Sequence, residues 1–374
     1  MHREAEWIAA VPHGRMKVWI LAPSLVTNDP NIDYYCDFSQ SIAEYSKVFA
    51  ELGIPWQWQP VTVTDYASVI GKIILEKEEA VFFPVVMNLC DGDEINGTPG
   101  ISVVQMLESA DLVYTGADEY FYRVTTSKIP MKKAFDAAGI STPAWLPVSS
   151  KEQKLDSVFE ELGLPVIVKP AVSGGSMGVG IKNVVHTVDA LQQQVAAMFD
   201  GYRGWNLTVD GIIAEAFITG PEFTTMVVGS AMFPNQCKVL APVERVFHPS
   251  LPDTEKFLSF DRLWEIYEEE TAMPAEASFY EYQSPHPSLH TALKQLSMDA
   301  YLAVGGTGYT RVDIRMDQTT GKLYVLEVNA QCGLSEDEDF TSIGAILRMS
   351  HSSFTSLVVD IINDAFRRKE LVQH

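Results

Sequence analysis

Cysteine is scarce in this chain of 374 residues. There are four, Cys36, Cys90, Cys237 and Cys332, without the spacing of a metal site or the density of a disulfide scaffold, so they read as reduced thiols. The eight histidines show no ligand spacing either and read as structural or surface residues. No run of about 18 uncharged apolar residues occurs, which gives no candidate membrane-spanning helix. The opening Met1-His2-Arg3-Glu4-Ala5-Glu6-Trp7 is too acidic for a secretory signal, and a cytoplasmic protein is expected. Positive charge is short as well: 27 Lys and Arg against 49 Asp and Glu leave a formal net charge of −22. Such a field repels nucleic acid and anionic membrane, and neither is expected as a partner. The Walker phosphate loop and the dinucleotide fingerprint are also missing.

Two motifs are present. The first is a pair of strand-like runs, Tyr309 to Asp317 and Lys322 to Asn329, joined by Gln318-Thr319-Thr320-Gly321. Period-2 alternation puts Arg311 and Asp313 on one face of the first run, opposite Val312, Ile314 and Met316, and puts Glu327 and Asn329 on one face of the second. Neighbours two apart on a strand face lie roughly 6 to 7 Å apart, a span that one or two divalent ions can bridge. Asp313, Glu327 and Asn329 are oxygen ligands, and a set without Cys or His suits Mg²⁺. The pattern alone describes an ordinary hairpin with a solvated face equally well.

The second motif breaks that tie. An apolar strand from Leu164 delivers Lys169 and runs into Gly174, Gly175, Gly178 and Gly180, four glycines within seven residues. Glycine lets the backbone turn tightly and aim several N–H groups at one anion. Lysine and loop for phosphates, carboxylates for magnesium: together the two motifs predict a nucleoside-triphosphate site.

At this point the sequence resembles the ATP-grasp superfamily, and within it the D-alanine:D-alanine ligase branch. The likeness rests on Lys169-Pro-x-x-x-Gly-x-Ser176-x-Gly-Val179, on Glu215-Ala-Phe-Ile-Thr-Gly-Pro-Glu222-Phe-Thr, and on Arg311-Val-Asp313 with Leu-Glu327-Val-Asn329. Thr126-Ser-Lys128 with Lys132, and Val113-Tyr-Thr-Gly116, match in family order. It runs from about Met87 to the last helix. It implies an α/β fold of three lobes, the ATP-grasp fold behind an N-terminal parallel-sheet domain, with ATP and Mg²⁺ as cofactors.

The expected lobes are residues 1–120, 121–228 and 229–374. The first holds a strand from Lys17, a helix from Phe38 to Leu52 closed by Gly53, and a strand from Ala80 to Leu89, which suggests an open parallel sheet. The central lobe takes a helix through Ile129, Ala134, Phe135 and Ala138 ended by Gly139, the Lys169 strand, and a helix around Asp189 to Phe199. The third carries the acidic hairpin and a covering helix through Phe354, Leu357, Val358, Ile361, Ile362 and Ala365. Residues 247–288 read as a long active-site loop.

The resemblance implies roles position by position. Lys128 and Lys169 contact phosphates, Ser176 with the N–H groups of Gly174 to Gly178 covers the terminal phosphate, and Glu215 and Glu222 hold adenine and ribose. Asp313, Glu327 and Asn329 hold Mg²⁺, while Arg311 stabilises the oxyanion formed when an amine attacks an acyl phosphate. The substrate side departs from the family. No glutamate stands where the family's N-terminal one pairs with the first substrate's amine; Asp33 or Asp37 substitutes, or else caps the following helix. Gly175 replaces a frequent serine, the mobile loop's lysine-tyrosine pair is absent, and Arg262 is the candidate to take its place. Gly333 aligns with a family glycine and Ser335 is the candidate contact for a substrate carboxylate. Beyond it, Glu336-Asp-Glu-Asp339 either repels a second carboxylate or forms a solvated turn.

The expected function is ATP-dependent joining of an acid carbon of a small substrate to an amine, with release of ADP and phosphate. The substrates are amino acids or related acids different from, or broader than, D-alanine. The alternatives are a specialised-metabolite ligase of the mycosporine type, the cell-wall D-alanine ligase, and an ATP-binding protein that has lost catalysis. The resemblance also implies a homodimer through the N-terminal lobe.

Overall fold

The computed structural model describes residues 6–26, 37–202, 204–267, 270–273 and 277–371. The first sheet is parallel, in the order β2-β1-β3-β4, from β1 (Met16–Pro23), β2 (Trp56–Val61), β3 (Phe83–Asn88) and β4 (Val113–Tyr114). β1 and β3 are almost wholly apolar because both of their faces are covered. Val18, Ile20, Val85 and Met87 meet Tyr45, Val48 and Phe49 of helix α1 (Ser39–Leu52). On the other face, Trp19, Leu21 and Val86 meet Val69, Ile70 and Ile73 of α2 (Tyr66–Glu79) and Val103, Val104 and Leu107 of α3 (Ile101–Ser109). Gly53, left-handed at φ 63°, ends α1 as expected.

Helices α4 (Glu119–Thr126) and α5 (Lys128–Ala138) follow, with Gly139 left-handed at the end of α5. The expected α5 is there, but it is not part of the central lobe's core. Its Met131 and Phe135 pack with Val312, Ile314, Val325 and Val328 of the third sheet. Lys128 and Lys132, three residues before Met131 and Phe135, stand on the flank of the same buried face, so α5 carries both ammonium groups into the interior.

The second sheet is β5 (Trp145–Val148), β6 (Val166–Pro170), β7 (Val184–Val185) and β8 (Ile212–Ala216), antiparallel in the order β5-β8-β6-β7. It has a core of its own: Val166, Val168, Ile212 and Ala214 pack on Val158 of α6 (Val158–Leu162) and on Leu191, Val195 and Met198 of α7 (Val188–Phe199).

Residues 217–221 cross to the six-stranded third sheet. It comprises β9 (Glu222–Val228), β10 (Lys238–Val239), β11 (Val243–Phe247), β12 (Tyr280–Gln283), β13 (Tyr309–Met316) and β14 (Leu323–Ala330). The order is β12-β11-β9-β13-β14, with β10 also on β9. A lobe boundary after residue 228 would therefore cut β9 from the sheet whose centre it forms. The 247–288 segment is not loop throughout, since it holds the short helix α8 (Phe260–Leu263) and ends in β12, whose register on β11 runs from Glu244↔Gln283 to Phe247↔Tyr280. Its alternating Tyr280 and Tyr282 are the sign of that strand.

Helix α9 (His290–Ala303) covers one face of the third sheet through Leu293, Ala300 and Tyr301. Helices α10 (Ser342–Ser350) and α11 (Phe354–Arg368) cover the apolar half of the other, where Met226, Val228, Val243 and Tyr309 lie. Along that second face the side chains change from apolar to polar and charged, at Glu222, Thr224, Arg245, Arg311, Asp313 and Arg315. Among the described residues no helix is long and apolar enough to cross a membrane.

Candidate active site

The hairpin register sets the first group of side chains. In the β13/β14 pair Asp313 stands opposite Glu327 and Arg311 opposite Asn329, so the four expected residues share one patch. An irregularity between Asp313 and Ile314 shifts the register just beyond them, to Ile314↔Val325. Arg311 Nη2 and Nε donate to Asp313 Oδ2 and Oδ1 at 2.9 and 3.1 Å, and Asn329 Nδ2 donates to Asp313 Oδ2 at 2.9 Å. Burial acts to raise the Asp313 pKa, but the Arg311 and Arg245 guanidiniums outweigh it and hold this carboxyl below its ordinary value. Arg311 shifts upward for the reciprocal reason, with Asp313 outweighing burial, and keeps its charge.

Glu215 and Glu222, at the two ends of the crossing, are both held by cations. Glu215 is 1% exposed and lies 2.5 Å from Lys132 Nζ and 2.6 Å from Lys169 Nζ. Burial pushes its pKa up, Lys132 and Lys169 pull it down, and the lysines prevail, leaving it at about 2. Lys132 also donates to Thr142 Oγ1 at 2.7 Å and is lowered from its ordinary value, chiefly by burial. Glu222 bridges two buried guanidiniums, Arg245 on Oε1 and Arg315 on Oε2, the latter at 2.8 Å. Sequence reasoning noted Lys132 without giving it a role and missed Arg245 and Arg315. The alternation that placed Arg311 and Asp313 on one face also puts Arg315 there. Between the crossing and the glycine loop lies a buried apolar cluster, Ile167, Val179, Phe217 and Phe257, with the two phenyl rings 5.9 Å apart.

One side chain ties the two motifs together. Lys128, 9% exposed, has its Nζ 3.4 Å from Ser173 Oγ at the base of the glycine loop and 3.3 Å from Glu327 Oε2 of the hairpin. Loop and hairpin therefore border one cleft. In the loop Gly175, Ser176 and Gly178 have φ of 54°, 61° and 73°, the left-handed backbone that glycine allows. Gly174 and Gly175 are exposed and Ser176 is half-buried.

The substrate-side expectations fare differently. Asp33 lies outside the described residues. Asp37 is exposed and accepts from the Ser39 N–H at 2.9 Å, one residue ahead of the Phe38 N-cap of α1. Gly333 is exposed with open space about its Cα. Ser335 donates its one hydroxyl proton to Glu44 Oε1 at 2.7 Å and accepts from Gln40 at 3.2 Å and from the Asp337 N–H at 3.1 Å, so no donor is left for a substrate carboxylate. Glu44, on α1, is 7% exposed and its Oε2 has no partner; a helix-face glutamate amid apolar neighbours was its only sequence sign. The acidic run is a satisfied turn, with Glu336 on Lys47 at 3.0 Å and Asp337 accepting from the Asp339 and Phe340 N–H groups, both at 3.1 Å. Arg262 is buried and pairs with Glu255 at 2.7 Å and Glu270 at 3.6 Å.

The three-sheet fold, with a glycine loop and an acidic hairpin on opposite sides of one cleft, defines an ATP-grasp enzyme. Residues 134–363 match the family model described as the D-ala D-ala ligase C-terminus. The chain belongs to the D-alanine–D-alanine ligase family and is an ATP-dependent carboxylate–amine ligase. D-alanine–D-alanine ligase B of Xanthomonas campestris is 30% identical over 257 residues, 68% of this chain and 70% of the relative. The D-alanine–D-alanine ligase of Xanthomonas axonopodis is 28% identical over 281 residues, 74% and 75% of the two chains. Among solved structures, the Bacillus anthracis D-alanine–D-alanine ligase complexed with ATP superposes with a TM-score of 0.65 at 19% identity, covering 95% of this chain and 99% of its own. The VanG D-Ala:D-Ser ligase of Enterococcus faecalis gives 0.63 at 14% identity, covering 94% and 99%. At such identities the likeness concerns the fold.

Proposed function

We propose that this ligase phosphorylates the carboxyl of a small amino-acid or related acid substrate and joins the resulting acyl phosphate to an amine, releasing ADP and phosphate. The observation that carries this reading is Lys128, within 3.4 Å of Ser173 and 3.3 Å of Glu327, which supports a single triphosphate shared by both motifs. Lys128, Lys169 and the N–H groups of residues 174–178 hold phosphates, with Ser176 over the terminal one. Adenine lies against the apolar cluster of Phe217, Phe257, Val179 and Ile167, with Glu215 and Glu222 holding adenine and ribose.

Among the described residues no group of three or more His, Cys, Asp or Glu is placed to hold a metal, so a magnesium site here needs an amide oxygen as well. Asp313, Glu327 and Asn329 supply two carboxylates and an amide, a hard oxygen set that fits Mg²⁺. When bound, the ion neutralises charge on the phosphates. Arg311, held by Asp313 and permanently charged, stabilises the oxyanion as the amine adds to the acyl carbon. The Cys332 thiol beside Arg311 is pushed up to about 12, mainly by burial, and is therefore no thiolate nucleophile at neutral pH.

The substrates differ from, or are broader than, a D-alanine pair, because Ser335 is committed to Glu44 and Asp37 accepts from the Ser39 N–H. The D-alanine pair is the second reading, favoured by the names of the relatives. A cytoplasmic location, where ATP is available, and a homodimer belong to the same proposal. Phosphate release from ATP, screened over single amino acids and pairs, tests it: turnover with D-alanine alone restores the second reading, and no acceptor in the screen ends the ligase reading. Arg311→Ala is expected to lower kcat by about two to three orders of magnitude with ATP affinity kept, and Glu327→Gln to abolish Mg²⁺-dependent turnover in a folded protein. Weakened ATP binding at normal kcat in the first, or full activity in the second, sinks the corresponding assignment.

A further inference from the structure

The glycine loop is braced from outside by a segment of the 247–288 stretch. Phe260 N–H donates to Val179 O at 2.8 Å, the Ile181 N–H donates to Glu270 Oε1 at 2.8 Å, and Glu270 Oε2 accepts from Ser259 Oγ at 2.5 Å. These tethers grip the C-terminal end of the loop. At the tip the internal bonds among the described residues include Met177 N to Gly174 O at 3.0 Å and Val179 N to Ser176 O at 2.9 Å. The Gly175 carbonyl instead accepts the Trp264 indole N–H at 2.8 Å. The indole also lies where a side chain at residue 175 would go, since a Cβ there would come 2.9 Å from Trp264 Cζ2. Its ring packs with Met177, Leu207 and Phe260, which fixes it from behind. Gly175 and Trp264 thus fit as a pair: the missing Cβ makes room for the indole, and the indole N–H fixes the carbonyl of the left-handed residue.

We infer that Trp264 is a positioning residue that sets the tip of the glycine loop, Gly174 to Ser176, over the phosphates before nucleotide arrives. This rests on the reading of that loop as the phosphate cover. The strain of the left-handed backbone at Ser176, which carries a Cβ and follows left-handed Gly175, opposes this tip conformation. An external hydrogen bond at the carbonyl between them counters that strain. The indole touches no reacting atom; it acts through residues 174–176.

The test uses the intact enzyme and two readouts, the KM for ATP against kcat, and hydrogen exchange of residues 174–183 without nucleotide. Trp264→Phe keeps the packing ring and removes the N–H; loss of one hydrogen bond predicts about a five-fold rise in KM for ATP and faster exchange at the tip. Trp264→Ala is expected to do both more strongly. Gly175→Ala is expected to raise the KM for ATP in the native background and by a smaller factor in Trp264→Ala, because its clash partner is gone. Lys169→Ala separates the two levels. If it weakens ATP binding while both Trp264 variants leave KM and exchange unchanged, the positioning role is overturned and the phosphate site stands. If exchange rises in the Trp264 variants but neither they nor Lys169→Ala affect ATP, the phosphate-cover reading itself is overturned and the inference falls with it.

Discussion

Glu215 concentrates the electrostatics of the cleft in one carboxylate. It is buried, and its two partners reach it from different elements, Lys132 from α5 and Lys169 from the end of β6. Removing one partner of such a cluster leaves uncompensated charge, so Glu215→Gln should cost about 3 to 5 kcal/mol of unfolding free energy and weaken ATP binding by misplacing both lysines. Its pKa in the folded protein, about 2, lies below the ordinary 4.5. The stabilisation is therefore complete above about pH 4.5 and is lost as pH falls toward 2. Urea midpoints measured between pH 6 and 3 should fall more steeply in the native protein than in Glu215→Gln, and parallel curves would remove the claim. Lys169 and Glu215 were each legible in the sequence, one by its glycine loop and the other by the family motif. That they neutralise one another was not, because they lie 46 residues apart and meet only through the register of β6 with β8.

The elements were legible where a period spoke for them. Alternation along β13 and β14 put Arg311 and Asp313 on one face and Glu327 and Asn329 on one face, whereas the register that sets Asp313 opposite Glu327 and Arg311 opposite Asn329 is a matter of strand pairing. β12 and the half-polar edge strand β2 were missed, since each is short and declares itself only by pairing with a neighbour. The crossing between the second and third sheets has no period of its own, because its turn is made by tertiary contact. Gly220 there has φ 137°, and a Cβ on it would lie 2.2 Å from Met316 O; Thr219 O and Pro221 O accept from Gln318 N and Met316 N, both at 2.9 Å. Gly220→Ala is expected to destabilise by roughly 1 to 3 kcal/mol from the backbone alone and to lower ATP affinity by shifting Glu222. Denaturant titration and nucleotide binding check this; unchanged values would show that the crossing can move without consequence.

Across the whole molecule the cores divide unevenly. The first and third sheets share two apolar clusters, one on each side, whereas the second sheet has its own around Val166, Leu191 and Ile212. Residues 145–216 should therefore open as a separate unit in native-state hydrogen exchange, at lower free energy than β1, β3 and β13, and ATP should slow exchange in both the glycine loop and the hairpin. A single uniform opening free energy across all three sheets would contradict that division. The sequence by itself determined the chemistry on offer: the glycine-lined lysine strand, the acidic hairpin and the family, because these depend on neighbours within a few residues or on a fixed period. Only the tertiary structure decided how each charge is used. It set Lys128 between loop and hairpin, turned Ser335 to Glu44, enclosed Glu222 between Arg245 and Arg315, and put Trp264 against Gly175. A charged group's role follows from the partner it meets in space, and those partners come from distant parts of the chain.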